Sequence, residues 1–205
     1  GLWDKYPVEQ VATPEGYARN PELVINFYNE RRKQLLDVVP NAGHLGVADL
    51  ERDFNVTVVT QNVDNLHERA GSTHVIHLHG ELTKVCSSRD PYNPHFVKEL
   101  APEEYEVKLG DKAGDGTQLR PFIVWFGESV PEIETAIRYV EQADIFVIIG
   151  TSLNVYPAAG LLNYVPRAAE VYLIDPKPVD THVMRPIHVI QKGASEGVKE
   201  LKALL

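Results

Sequence analysis

A β-branched run that ends in polar side chains is the feature that most restricts the fold of this sequence. Phe54–Thr60 reads FNVTVVT and is followed directly by Gln61, Asn62 and Asp64. A run of this composition is typical of a buried parallel strand, because other elements cover both faces of such a strand. Open α/β sheets bind ligands beyond the carboxyl ends of their strands. The polar residues therefore mark a candidate ligand site.

A second polar cluster follows the next short apolar run of the chain. His77 and His79 come just after Val75-Ile76 and precede Gly80. We expect this cluster to reach the same edge of the sheet, with both histidines on one side of a strand because side chains alternate. Such a pair can bind a metal ion. Taken alone, we interpret the two histidines as structural.

Segments typical of strands and of helices alternate along most of the chain. Predicted strands are Phe54–Thr60, a strand with a tight turn within Pro121–Glu128, Asp144–Ile149 and Glu170–Asp175. Predicted helices are Pro21–Asp37, Ala42–Phe54, Asp64–Ala70, Pro131–Gln142, one after Pro157 and a final helix capped by Ser195. This alternation predicts an α/β, doubly wound, Rossmann-like fold with a mostly parallel sheet.

The stretch from Glu81 to Gln118 lacks this periodicity and is rich in turn-forming residues, which predicts a small helical and loop module. We expect a single domain over residues 1–205. Its core is predicted at about 46–80 and 119–205, and its small module at about 12–45 and 81–118.

The composition excludes several classes of protein. A net charge of −9 argues against nucleic-acid binding, which requires clustered Lys and Arg in excess. The single cysteine, Cys86, cannot form an internal disulfide or a multi-cysteine zinc site. It is typical of a reducing compartment, so we expect a cytoplasmic protein. No apolar run approaches membrane-spanning length.

Two of the polar motifs have both a structural and a functional interpretation. Gln61, Asn62 and Asp64 can cap the helix that follows them, but three amide or acid groups exceed what a cap requires. They also suit a pocket that recognises an amide. Gly150-Thr151-Ser152 can be an ordinary turn after a strand, or a turn that holds a phosphate or ribose.

The motifs form an ordered set that resembles the sirtuins, the NAD-dependent protein lysine deacylases, and is most similar to bacterial members. The resemblance covers nearly the whole chain. It rests on Thr60-Gln61-Asn62-Val63-Asp64-x-Leu66-His67, Ala70-Gly71, His79-Gly80, Phe126-Gly127-Glu128 and Gly150-Thr151-Ser152-Leu153-x-Val155-x-Pro157-Ala158. Gly1-Leu2-Trp3 and Ala12-Thr13-Pro14-Glu15 are similar to the segment after the cofactor-binding loop of that family.

The resemblance implies how NAD would be bound. Gln61, Asn62 and Asp64 would line the nicotinamide-ribose pocket, with Asp64 and the backbone of Val63 on the carboxamide. His79 would be the general base, which suits a side chain whose pKa is near neutrality. Other cofactor positions would be Gly150, Thr151, Ser152, Asp175, where the family commonly has Asn, and Gly193-Ala194, which would face the adenine.

The resemblance also implies a substrate surface. The substrate peptide would add as a strand between two segments and bind mainly through backbone hydrogen bonds. The residues concerned are Val124, Phe126, Gly127, Glu128, Val155 and Tyr156. Trp125-Phe126, taken alone, is more typical of a core than of a site.

Arg31 is unusual because it falls on the apolar stripe of its predicted helix. Such an arginine either extends to solvent or points into a pocket beside Tyr28. In the branch of the family that removes acidic acyl groups, a Tyr-x-x-Arg on this helix recognises the distal carboxylate, and Tyr28-Asn29-Glu30-Arg31 matches it. A guanidinium can donate two hydrogen bonds to one carboxylate. The resemblance thus implies removal of succinyl and malonyl as well as acetyl groups.

The chain departs from the family in two places. The four cysteines of the usual zinc ribbon are absent, so we expect a metal-free loop packed through Tyr92, Phe96 and Leu100. The family's first strand and its Gly-Ala-Gly loop would precede Gly1. Either about 30 to 40 residues, the size of a strand, loop and helix, come before Gly1, as we expect, or the chain is a fragment that cannot bind NAD normally.

Three other functions stay open at this point. An NAD glycohydrolase or ADP-ribosyltransferase on the same scaffold would release nicotinamide without acyl-lysine. A metal-dependent hydrolase would use His77 and His79. A non-catalytic NAD-binding module would tolerate loss of His79.

Overall fold

A computed structural model of the chain describes residues 5–150, 158–178 and 184–205. The chain divides into two compact units, which are described separately. The first unit contains Gly1–Val38, Thr60–Asn65 and His77–Pro131. The second unit contains Val39–Val59, Leu66–Ile76 and Glu132–Leu205. No helix in the described ranges is long and apolar enough to cross a membrane.

The described elements have the following bounds. The α-helices are α1 (Val8–Val11), α2 (Pro14–Arg19), α3 (Pro21–Leu35), α4 (Ala42–Asp49), α5 (Leu66–Ala70), α6 (Ile133–Val140) and α7 (Ala194–Leu204). The strands are β1 (Val58–Thr60), β2 (Val75–His77), β3 (Gly80–Ser87), β4 (Lys98–Glu99), β5 (Leu119–Ile123), β6 (Ile145–Ile149), β7 (Glu170–Ile174) and β8 (His188–Ile190). Short 3-10 helices cover Leu50–Arg52, Pro94–Phe96, Pro102–Glu104 and Ala158–Tyr164.

The first unit is built on an antiparallel sheet of order β4-β3-β5. Helix α3 packs on it, and Ile25 shares a buried cluster with Val85, Leu100 and Val107. Helix α3 begins after Asn20, whose side chain accepts a hydrogen bond from the Leu23 N–H at 3.2 Å. The amphipathic helix thus buries its apolar face against a sheet, in a stretch that the sequence predicts as helices and loops.

Two polar side chains of α3 are also buried in this unit. Asn29 exchanges two hydrogen bonds with the backbone of Val107, at 2.8 and 2.9 Å. Arg32 donates to the carbonyl oxygens of Tyr105 at 2.7 Å and Leu82 at 3.3 Å. These bonds satisfy carbonyls that would otherwise be buried without a donor. The fully buried arginine of this helix is therefore Arg32 and not Arg31.

The second unit contains the parallel sheet, of order β6-β7-β8. Its core combines Tyr172, Ile174 and Ile190 of the strands with Val198 and Leu201 of α7 and with Leu50. Helix α7 lies close to β7 because Gly197 lacks a side chain, and a Cβ there would be 2.2 Å from Ile174 Cγ2. Parallel strands covered by helices confirm the predicted α/β class.

Several predicted boundaries were wrong. Strand β1 begins at Val58 and not at Phe54, because the Phe54 N–H donates to the Leu50 carbonyl at 2.9 Å and continues the turn after α4. The last helix is capped by Gly193, whose backbone is extended, and Ser195 lies within the helix. The helix expected after Pro157 is a 3-10 helix over the described residues Ala158–Tyr164.

The lone cysteine lies in the core of the first unit. Cys86 is fully buried on β3, with its Sγ 3.7 Å from the Pro121 carbonyl oxygen. Burial raises the pKa of this thiol to about 12, although the positive charge of Arg120 lowers the pKa by a smaller amount. Cys86 is therefore a packed apolar residue in this protein.

Candidate active site

The two polar clusters meet within the first unit. The Leu78 N–H donates to the Thr60 carbonyl at 3.0 Å, and the Leu82 N–H donates to the Val63 carbonyl at 2.8 Å. His77 adds a contact between its Nδ1 and the Asn62 carbonyl oxygen at 2.9 Å. These bonds attach the loop after β1 to the chain from β2 to β3. The candidate cofactor residues of the loop and His79 are thereby held together.

His79 lies in a tight turn and not on the strand that was expected to carry both histidines. Strand β2 ends at His77, and the turn is imposed by Gly80, which has a φ of +88°. A Cβ at Gly80 would be 2.1 Å from the Phe122 carbonyl oxygen, so only glycine allows β3 to approach β5 there. The two imidazoles consequently have different environments.

The surroundings of His79 favour its neutral form. Its imidazole is half-buried, and burial lowers its pKa from the ordinary 6.5, while a hydrogen bond with the Gln61 backbone acts in the opposite direction. A neutral imidazole near neutrality is what a general base requires. Among the described residues, His79 belongs to no group of three metal-binding side chains. The environment of His79 thus suits proton transfer.

Two amides of the loop after β1 have buried atoms without a hydrogen-bond partner in the part of the chain that the structure describes. Within the described ranges, neither Gln61 Nε2 nor Asn65 Oδ1 has a hydrogen-bond partner, although both atoms are buried. Buried amide groups are normally hydrogen-bonded, so these atoms are typical of a site that a polar ligand completes. The nicotinamide carboxamide and ribose of NAD offer donors and acceptors of this kind. The residues present therefore fit the cofactor that the sequence implies.

Tyr28 and Arg31 lie one turn apart on α3. The Arg31 guanidinium carbon is 5.9 Å from the centre of the Tyr28 ring and 6.0 Å from that of Phe27. Burial lowers the pKa of Arg31, and smaller electrostatic interactions with Tyr28 and Asp64 act in the opposite direction. Arg31 is thus a half-buried cation within electrostatic range of Asp64, a predicted cofactor residue.

The Tyr28 hydroxyl is already engaged in this structure. It donates to the Val11 carbonyl at 2.9 Å and accepts from the Trp125 indole N–H at 3.0 Å. Burial, the largest influence, raises the pKa of this phenol to about 12. Tyr28 is therefore a neutral, fixed wall beside Arg31, and its one hydroxyl proton is directed at Val11.

The predicted substrate segment forms a turn with one exposed side. Phe126 is 69% exposed and Gly127 has a φ of +91°, with open space where a side chain would lie. Trp125 is only 2% exposed, so it belongs to the core, as the sequence predicts for the Trp125-Phe126 pair. Phe126 does not belong to the core. Val124 donates its N–H to the His79 carbonyl at 2.9 Å. The turn therefore adjoins the residue predicted to be the base.

The second unit presents its predicted cofactor residues where its parallel strands end. Gly150 follows β6 with a φ of +66°, and Asp175 follows β7 and accepts from the Lys177 N–H at 2.8 Å. Ala194 is the first residue of α7, after β8. Carboxyl ends of parallel strands are where such sheets bind nucleotides. Thr151, Ser152, Val155 and Tyr156 lie outside the described residues.

Known proteins are similar to this chain in both sequence and fold. Residues 1–157 match the Sir2 family. A protein of Bacteroides thetaiotaomicron named NAD-dependent protein deacylase is 84% identical over 205 residues, which is 100% of this chain and 88% of that protein. A solved complex of a Sir2 homologue with NAD is 36% identical, with a TM-score of 0.82 over 100% of this chain and 82% of that one.

A further solved structure contains a peptide. It is a complex of Sir2 with a p53 peptide and NAD+, 26% identical, with a TM-score of 0.75 over 93% of this chain and 80% of that one. Matches of this extent, in sequence and in fold, agree with the ordered motifs and with the parallel sheet. The chain belongs to the Sir2 family, the sirtuins.

Proposed function

We propose that this NAD-dependent protein lysine deacylase removes succinyl and malonyl groups in addition to acetyl groups. Deacylation with NAD is supported by the family, by the deacylase name of the relative at 84% identity and by the NAD complex of a homologue. The products are nicotinamide, the deacylated lysine and O-acyl-ADP-ribose. The peptide complex of a more distant Sir2 protein supports protein substrates.

In this proposal the first unit supplies the reacting end of the site. NAD would provide the ribose carbon to which the acyl oxygen becomes bonded as the bond from that carbon to nicotinamide breaks. The Gln61 amide and Asp64 hold the nicotinamide end, which gives Gln61 Nε2 the acceptor that it lacks among the described residues. His79 would accept a proton from a ribose hydroxyl, because burial lowers the pKa of its imidazole and favours the neutral form.

The observation that carries the acyl preference is the position of Arg31. Its guanidinium lies beside Tyr28 and interacts electrostatically with Asp64 of the cofactor loop, so a cation lies in the same unit as the base and the amides. A succinyl or malonyl carboxylate can accept two parallel hydrogen bonds from a guanidinium. An acetyl group offers nothing to this cation. Tyr28 contributes the aromatic ring beside which the Arg31 guanidinium lies.

Replacing Arg31 tests this preference. Arg31→Met should lower the ratio of succinyl-lysine to acetyl-lysine kcat/KM by about tenfold to a hundredfold, because hydrogen bonds to charged groups contribute roughly 1.5–3 kcal/mol. Mass spectrometry of matched acyl peptides incubated with protein and NAD measures both rates. Lys33→Met removes an exposed cation of the same helix and should leave the ratio unchanged. An unchanged ratio in Arg31→Met would refute the proposed acyl preference.

The same assay separates deacylation from simple NAD cleavage. Nicotinamide release should require the acylated peptide and match the deacylated product in amount. Release without peptide would instead indicate an NAD glycohydrolase or an ADP-ribosyltransferase.

A further inference from the structure

The first unit contains a buried ion pair between Arg120 and Glu128, the second of which belongs to the predicted substrate segment. The Nη1 and Nη2 atoms of Arg120 lie 2.9 and 3.1 Å from the two carboxylate oxygens of Glu128. The Arg120 side chain is 4% exposed and that of Glu128 is 14% exposed. Burial lowers the pKa of Arg120, but the hydrogen bonds and charge of Glu128 outweigh it and raise the pKa overall. Both groups thus stay charged at neutral pH.

This pair organises the turn that carries Phe126 and Gly127. Arg120 donates to the Ile123 carbonyl at 2.7 Å, and its guanidinium lies 3.8 Å from the Trp125 ring centre. Glu128 accepts from the Trp125 backbone N–H at 2.8 Å. The inner side of the turn is therefore fixed by one guanidinium and one carboxylate, while its outer side remains exposed.

The contacts continue from the turn to the acyl-binding helix. The Trp125 indole donates to the Tyr28 hydroxyl at 3.0 Å, and Tyr28 lies one helical turn from Arg31. The Phe126 N–H donates to the Ala12 carbonyl at 3.0 Å, next to the Val11 carbonyl that accepts from Tyr28. A continuous set of buried contacts therefore joins Arg120 and Glu128 to both predicted substrate surfaces.

We propose that Arg120 and Glu128 are positioning residues that hold the substrate turn and, through Trp125 and Tyr28, the acyl-binding helix in register with it. The inference rests on the substrate surface assigned under the proposed function. Buried ion pairs are often no more stabilising than apolar side chains of similar volume, so stability alone does not require this one. Directed hydrogen bonds to Ile123 and Trp125 are what apolar replacements cannot reproduce.

Kinetics with an acetyl-lysine peptide test the positioning role independently of Arg31. Arg120→Met and Glu128→Gln should each raise the peptide KM about tenfold or more, with kcat and the NAD KM changed by about twofold at most, as loss of uniform substrate binding predicts. Arg120→Lys keeps the charge but not the planar contact with Trp125, so it should recover the KM only in part.

The double variant Arg120→Met with Glu128→Met separates positioning from stability. It leaves no unpaired buried charge, so its melting temperature should recover relative to Arg120→Met. Its peptide KM should nevertheless remain raised.

The single variant Trp125→Phe removes the indole N–H and should change the succinyl to acetyl ratio more than it changes acetyl turnover.

Arg32→Met is the matched control, since Arg32 is an equally buried arginine of the same unit whose hydrogen bonds go to Tyr105, Leu82 and Asn29. It should lower the melting temperature and leave the ratio of peptide KM to NAD KM unchanged. A normal peptide KM in the double variant, or the same KM increase in Arg32→Met, would overturn the inference. If Arg31→Met leaves the succinyl to acetyl ratio unchanged, the acyl preference is refuted. The acetyl-peptide KM values of the Arg120 and Glu128 variants would still test the positioning role.

Discussion

His79 and Gln61 illustrate how single residues acquire chemistry from their backbone surroundings. The turn at Gly80 removes His79 from the strand and places its imidazole against the Gln61 backbone. His77, two residues earlier, is buried on β2 with its Nδ1 at the Asn62 carbonyl. Two histidines with the same spacing as a metal pair therefore have different surroundings, one buried on a strand and one half-buried in a turn.

We expect His79 to titrate below the ordinary imidazole value of 6.5, because burial disfavours its charged form. A histidine NMR titration of the unliganded protein measures this directly, and His79→Asn identifies the resonance by removing it. A value at or above 6.5 would contradict the environment described for this side chain.

The same shift predicts how acid affects folding through His79. Its folded pKa is lowered, so on acidification the unfolded chain takes up this proton before the folded chain does. The stability that His79 contributes is present above the unfolded pKa and is lost as the pH falls through the folded pKa. Denaturant unfolding of the wild type and of His79→Asn should therefore diverge below about pH 6.5.

Arginines show what the sequence could and could not indicate at this scale. Arg31 stands out in the sequence because it interrupts an apolar stripe, and Tyr28 three residues earlier completes the Tyr-x-x-Arg motif. Arg32 and Arg120 are more deeply buried, yet nothing local marks them. Their partners are carbonyls and a carboxylate supplied by other segments, such as Leu82 and Tyr105 for Arg32. Burial of this kind depends on tertiary contacts that no short pattern contains.

At the scale of elements, the stretch from β3 to β5 is held by hydrogen bonds as well as by the expected apolar packing. Leu100 packs in the Ile25 cluster as predicted, and Phe96 lies against Gly114. The additional feature is Ser87 at the end of β3. Its Oγ donates to Asp115 at 2.5 Å and accepts from the backbone N–H groups of Arg89 and Asp90. One hydroxyl thus joins two loops where the family usually has its zinc ribbon.

We predict that this stretch folds without zinc and depends on Ser87. Metal analysis of protein purified without added metal should find well below one zinc per chain. Ser87→Ala should lower the free energy of unfolding by about 1–3 kcal/mol, because the Arg89 and Asp90 N–H groups lose their acceptor and Asp115 loses its donor.

Ser195→Ala provides the control for that measurement. Ser195 makes no side-chain cap at the start of α7, so its loss should change stability by less than about 0.5 kcal/mol. Stoichiometric zinc, or equal stability of the Ser87 and Ser195 variants, would contradict the prediction.

At the scale of the whole molecule, the two units differ in how well the sequence predicts them. The parallel strands β6 and β7 are almost continuous apolar runs, so the sequence predicts their positions and marks the residues at their ends as candidate ligand residues. The antiparallel strand β3 reads GELTKVCS and shows no clear period. Its pairing of Cys86 with Arg120 joins segments far apart in the chain, and such pairing follows from packing and not from local composition.

The buried Cys86 has a practical consequence for solution studies of the enzyme. It is the single cysteine of the chain, and its thiol pKa of about 12 leaves almost no reactive thiolate at neutral pH. Labelling reagents such as maleimides should therefore ignore the native protein. A cysteine introduced at an exposed position such as Lys33 would carry the only fluorophore or spin label of this chain, so occupancy of the proposed acyl site could be followed without first replacing Cys86.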